Sequence, residues 1–133
     1  MKTLVVAATE KELAQINITK SNHEKHAMEV GAFFFGQKLE ELLFKYSGEI
    51  ALIVLVGIGG CSKNHKLGTH LIIIDDVWGD LGIITENSFE TIEEMGFRTK
   101  EKQSSINFNS AKHYKLGEAK AKAITINTIF DNE

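Results

Sequence analysis

Apolar and polar residues change rhythm along this chain, and the changes mark out its elements. Residues 2–8 carry a continuous apolar run, Leu4-Val5-Val6-Ala7-Ala8, with no polar alternation, which predicts a buried strand. The run empties directly into Thr9-Glu10-Lys11-Glu12, and residues 10–17 predict a short helix. Residues 18–27 are polar and without period, and read as a loop. Residues 33–47 predict a second helix, because Phe35, Leu39, Leu42 and Leu43 fall on one helical face, with Gly48 as its stop. Residues 50–56, Ile-Ala-Leu-Ile-Val-Leu-Val, are apolar throughout and predict a central strand covered on both faces. Residues 70–78 predict another strand, residues 88–96 a short helix capped by Ser88 and stopped by Gly96, and residues 122–129 a last strand rich in β-branched residues. Residues 98–118 are polar, with little periodicity.

Continuous apolar strands alternating with helices predict an α/β fold with a mostly parallel, mixed central sheet flanked by helices. Residues 1–133 read as a single domain with no internal repeat and no linker. The last predicted strand reaches Ile129, four residues from the end, so it is expected either to lie at a sheet edge or to belong to a truncated domain.

Composition narrows the function classes. The hydrophobic fraction of 43% and charged fraction of 25% are those of an ordinary globular protein. A net charge of −3 argues against nucleic acid or a membrane surface as partner. The apolar runs are too short to span a bilayer, and Glu10 arrives too early for a secretory leader. One cysteine, Cys61, leaves no internal disulfide and fits a cytoplasmic protein.

Four places offer chemistry. Glu10 and Glu12 stand at the carboxyl end of the first predicted strand, where ligand crevices of open α/β sheets lie. They also fit a plain helix start, with Thr9 as cap and acidic residues in the first turn. The glycine cluster Gly57-Ile58-Gly59-Gly60 follows a strong strand and is either a tight turn or a loop whose N–H groups meet a ligand. It lacks the spacing of a dinucleotide fingerprint and the ending of a phosphate loop. Trp78-Gly79-Asp80-Leu81-Gly82 reads equally as a turn or as a loop beside a pocket. Five histidines include the near pair His23 and His26 but no second pair at ligand spacing, so no metal and no cofactor is expected. A receiver-type acidic pocket is disfavoured, because residues 50–57 end in Val-Gly rather than in an acceptor aspartate.

The segments Ala7-Ala8-Thr9-Glu10-Lys11-Glu12-Leu13, Gly57-Ile58-Gly59-Gly60-Cys61, Leu67-Gly68, Trp78-Gly79-Asp80-Leu81-Gly82 and Ala123-Ile124-Thr125-Ile126-Asn127-Thr128 occur in one order along the chain. Together they resemble the futalosine hydrolase family, nucleosidases of the purine nucleoside phosphorylase superfamily. The resemblance implies a phosphorylase-like fold, menaquinone biosynthesis, a small-molecule nucleoside substrate and a homodimer. It places Glu12 as the carboxylate handling the attacking water, Gly57, Ile58, Gly59, Gly60 and Cys61 along the nucleoside pocket, and Phe130 near a family aromatic position. Cys61 stands where the family has serine, and so weakens a hydrogen-bond donor.

The departures are as informative. Complete family members run on well past the equivalent of Glu133, through a Met-Glu pair that holds the ribose and an aspartate that protonates the base; no residue here matches either. The family's second strand is apolar and ends in Gly-Val-Gly, while this chain offers only Ala27-Met28-Glu29-Val30-Gly31, and residues 18–30 are shortened relative to the family. The resemblance therefore implies the amino-terminal part of a nucleosidase, weakly active or inactive. The alternatives are a nucleoside-binding relic without chemistry and a truncated fragment without independent activity.

Overall fold

A computed structural model of the chain describes residues 1–60, 65–97, 105–107 and 119–126. The chain divides into two compact units, Met1–Ser62 and Lys63–Glu133. It is an α/β protein with mostly parallel sheets and few helices, and its described strands form three sheets rather than one central sheet.

In the first unit, strand β1 (Lys2–Ala7), helix α1 (Glu10–Ala14), strand β2 (His23–Ala27), helix α2 (Ala32–Lys45) and strand β3 (Ile50–Leu55) follow in order. The strands pair in parallel as β2-β1-β3. Neighbouring residues of the central β1 point to opposite faces, and each face is closed by one helix. Leu4 and Val6 meet Met28, Leu42 and Tyr46 under α2. Val5 and Ala7 meet Leu13 of α1. Every fully buried apolar side chain among the described residues belongs to this unit.

Two sequence expectations change here. Residues 23–27, read as loop, form β2, registered from Thr3 opposite His23 to Ala7 opposite Ala27. His23-Glu24-Lys25-His26 carries no apolar signal because the strand lies at an edge and only half-buried, and pairing with β1 decides its conformation. Conversely, the most apolar segment is not central. Among the described strands β3 lies at the opposite edge, with Leu55 64% exposed.

The link from β2 to α2 is strained. Glu29 has φ of 100°, a backbone region that side-chain-bearing residues rarely adopt, and Gly31, with φ of 101°, follows two residues later. Such strain costs about 1–3 kcal/mol, while a glycine makes the unfolded chain about 0.5–1 kcal/mol harder to order. Glu29→Gly is therefore expected to stabilise the first unit by about 1 kcal/mol. A higher urea midpoint at unchanged slope would show it; a lower midpoint would mean that the Glu29 side chain holds the loop.

Lys2, Glu24 and Tyr46 lock the amino-terminal side of the same sheet. The Lys2 Nζ lies 2.7 Å from Glu24 Oε1 and 4.4 Å from the centre of the Tyr46 ring, and the Tyr46 hydroxyl donates to Glu24 Oε2. The Lys2 hydrogen bond first, and the Tyr46 hydroxyl second, bring the Glu24 carboxyl down to about 2. A carboxyl lowered by folding adds stability above its unfolded value of about 4.3. That contribution fades as pH falls from about 5 to about 2. The urea midpoint is expected to drop across this window, and Glu24→Gln should flatten the drop. An unchanged acid profile in the variant would remove Glu24 from the account.

In the second unit, strands β4 (Leu71–Trp78), β5 (Gly82–Ile84), β6 (Phe89–Thr91), β7 (Ser105–Asn107) and β8 (Ala119–Thr125) follow in order. The central β4 pairs antiparallel with β7 and parallel with β8, so β8 stands at an edge among the described strands. The strands β5 and β6 pair as a separate antiparallel ribbon. The helix expected over 88–96 is thus a strand followed by one helical turn. Its cap is Thr91 rather than Ser88: Thr91 N–H and Oγ1 donate to Glu94 Oε2 at 2.8 and 3.0 Å, and Glu94 N–H returns to Thr91 Oγ1 at 3.2 Å. Gly96, with φ of 78°, closes the turn where expected. The glycines of the Trp78–Gly82 segment are explained by packing. A Cβ on Gly79 would lie 2.3 Å from an Ile124 methyl, and one on Gly82 would lie 2.1 Å from the Glu90 carbonyl oxygen. No helix among the described residues is long and apolar enough to cross a membrane.

Candidate functional site

The carboxyl ends of β1, β2 and β3 lie along one side of the first sheet, because the three strands are parallel. The chain passes from β1 to β2 on one side and then to β3 on the other. The order β2-β1-β3 thus creates a topological switch point between β1 and β3, the position at which open α/β sheets bind ligands.

Glu12 spans that switch point. Thr9 is the extended N-cap of α1, with φ of −131° and ψ of 153°, and Glu12 completes a capping box with it. The Thr9 N–H and hydroxyl donate to Glu12 Oε2 at 2.9 and 2.8 Å, and the Glu12 N–H donates to Thr9 Oγ1 at 3.3 Å. The other carboxylate oxygen, Oε1, accepts the Ile58 N–H at 3.1 Å. One side chain therefore starts the first helix and ties down the loop after β3.

At Gly57, just before Ile58, a Cβ would stand 3.4 Å from Glu12 Oε1, an ordinary contact, so the carboxylate lies directly against this loop. Gly59 and Gly60 have open space around them, and the side chain of Ile58 is exposed. The loop is therefore a surface that solvent or a ligand can reach.

The Thr9 hydroxyl above all, and then the Ile58 and Thr9 N–H groups, hold the Glu12 carboxyl below the usual carboxylate range, against the opposing pull of burial. Glu12 is ionised at neutral pH. Its oxygens offer about four acceptor directions, and the described partners use two on Oε2 and one on Oε1. The remaining direction on Oε1 lies beside the glycine loop. A water there would find a proton acceptor, though one made less basic by its hydrogen bonds.

The structure brings together Glu12, Gly57 and Ile58 from the sequence-derived site, with Gly59 and Gly60 on the same loop. Cys61 and Phe130 lie outside the described residues. Glu10, the other first-turn carboxylate, is exposed. His23 and His26 are three positions apart on β2 and so face opposite sides of the sheet. No group of histidine, cysteine or acidic residues among the described residues is arranged to hold a metal. Sequence reasoning does not single out Glu29, whose N–H donates to the Ala8 carbonyl oxygen at 3.1 Å and which stands at this same edge.

No family model, no curated protein and no solved structure matches this chain. The site therefore rests on its own geometry.

Proposed function

We propose that the carboxyl edge of the β2-β1-β3 sheet binds a nucleoside, and that the chain is a futalosine-hydrolase-like nucleosidase of low activity. The observation that carries the reading is the bond from Ile58 N–H to Glu12 Oε1 across the switch point, which sets an ionised carboxylate against a glycine loop. Breaking an N-glycosidic bond builds positive charge on the ribose ring while water attacks its anomeric carbon. Glu12 Oε1 takes the proton that the attacking water loses. The departing base must gain a proton, which solvent water supplies. Protonation by water in place of a positioned acid forgoes about 10²–10⁴-fold in rate. Slow turnover is the corresponding expectation.

Base release from futalosine, methylthioadenosine and inosine, followed by chromatography, tests this. Slow release from at least one of them, abolished by Glu12→Gln, is the expected result. Release that persists in the variant would remove Glu12 from the chemistry. A second reading, binding without chemistry, is favoured by the three hydrogen bonds already made to the Glu12 carboxylate. Saturable binding of a nucleoside with no base release would establish it. Neither binding nor release of any of the three would overturn both readings.

A further inference from the structure

Glu29 stands where glycine would serve the backbone better. Its φ of 100° makes it the one non-glycine with a positive φ among the described residues. The bonds that fix this conformation are backbone bonds. The Met28 N–H donates to the Ala7 carbonyl oxygen at 2.8 Å, and the Glu29 N–H donates to the Ala8 carbonyl oxygen at 3.1 Å. Neighbouring N–H groups of a regular strand point opposite ways, so two in a row turned to β1 mark where the chain leaves β2. A glycine could make both bonds without the strain. The Glu29 side chain is exposed, and neither a hydrogen bond nor an ion pair holds it among the described residues. Strain of this kind clusters where a side chain is put to use.

The carbonyl that Glu29 bonds and the N–H that holds Glu12 belong to one peptide group. The Ala8 carbonyl oxygen accepts from Glu29, and the Thr9 N–H of the same peptide donates to Glu12 Oε2 at 2.9 Å. Glu12 Oε1 then accepts the Ile58 N–H at 3.1 Å. One hydrogen-bonded line thus joins the carboxyl ends of β2, β1 and β3, with a glutamate on either side of the Ala8-Thr9 peptide. We propose that Glu29 is a specificity-determining residue of this edge, its carboxylate accepting hydrogen bonds from the two neighbouring hydroxyls of a ribose; this rests on the nucleoside reading. In that reading the anomeric carbon lies beside Glu12 Oε1, and the two hydroxyl-bearing carbons follow it around the ring. The described partners of Glu12 leave one acceptor direction, which the attacking water takes. The hydroxyls need another acceptor, and Glu29 supplies it. A carboxylate accepts only, and its two oxygens suit two adjacent O–H donors.

The test compares Kd for inosine with Kd for 2′,3′-dideoxyinosine, which lacks both hydroxyls, in the wild-type protein, Glu29→Gly and Glu29→Gln, with urea midpoints measured alongside. The wild-type protein is expected to bind inosine about tenfold or more tightly than the dideoxy compound, the fold-change for hydrogen bonds to a charged group. Glu29→Gly should erase that preference and Glu29→Gln should reduce it, while both bind the dideoxy compound as the wild type does. Glu29→Gly should lose the preference despite a higher urea midpoint. A merely structural Glu29 would shift both compounds equally or neither, and that result would overturn the inference. Inosine binding that Glu12→Gln weakens and Glu29→Gly does not would overturn it too, while leaving the nucleoside reading in place. No binding of inosine at millimolar concentration would also overturn it; the nucleoside reading would fall with it only if futalosine and methylthioadenosine failed to bind as well.

Discussion

Glu12→Ala is expected to destabilise the first unit by about 2–3 kcal/mol and to release the Gly57–Gly60 loop. The change removes the carboxylate half of a capping box, and loss of a helix cap costs about 0.5–2 kcal/mol. It also leaves the Ile58 N–H without its charged acceptor, where a hydrogen bond to a charged group is worth about 1.5–3 kcal/mol. The sum is less than additive, because Thr9 and the loop face water. Glu12→Gln separates the two roles. Glutamine serves well in a capping box, so its oxygen can keep Thr9, but its amide then turns a donor toward the Ile58 N–H. The expected pattern is a nearly intact helix start in Glu12→Gln with fast exchange of the Ile58 amide, and loss of both in Glu12→Ala. Urea unfolding and site-resolved amide exchange would measure it. An Ile58 amide equally protected in all three proteins would contradict the clamp.

Leu4→Ala is expected to cost about 2–5 kcal/mol, the range for emptying a fully buried leucine site. Eight apolar residues are buried among the described residues, and Leu4, Val5, Val6 and Ala7 of β1 are half of them. Leu4 touches the cluster formed with Val6, Met28, Leu42 and Tyr46, so its loss opens a cavity between the sheet and α2. A core this small leaves little reserve. The variant is expected to populate unfolded first unit at room temperature, visible as lost amide protection in both β1 and α2. Loss confined to β1 would show that α2 holds its place without that packing.

Legibility in the sequence followed burial. The strand β1 carries a continuous apolar run and the helix α2 a periodic one, and both form close to where the pattern sets them, although of the expected helix face Phe35, Leu39 and Leu42 meet the core while Leu43 is exposed. The strand β2 was illegible because an edge strand held by its neighbour needs no apolar alternation. The β3 strand was legible as a strand but misplaced as central, since a continuous apolar run does not report how many neighbours it has. At 88–96 the cap-and-stop chemistry was real, but the cap moved to Thr91 once Phe89–Thr91 paired with Gly82–Ile84. In the site, Thr9 and Glu12 announced a capping box, and the two readings of Glu12 proved compatible: it caps the helix and faces the glycine loop at once. No local pattern in the sequence could show the Ile58 bond, because it joins residues 46 positions apart and depends on sheet order.

The most direct test of the account is to add futalosine, and separately inosine, to isotope-labelled protein and follow every backbone amide by NMR. Shifts that saturate and concentrate at Thr9 and at the Gly57–Gly60 amides, with Ile58 largest, are the predicted result. Saturable shifts confined to residues 65–97, or no shifts at millimolar nucleoside, would contradict a nucleoside site at the carboxyl edge of the first sheet.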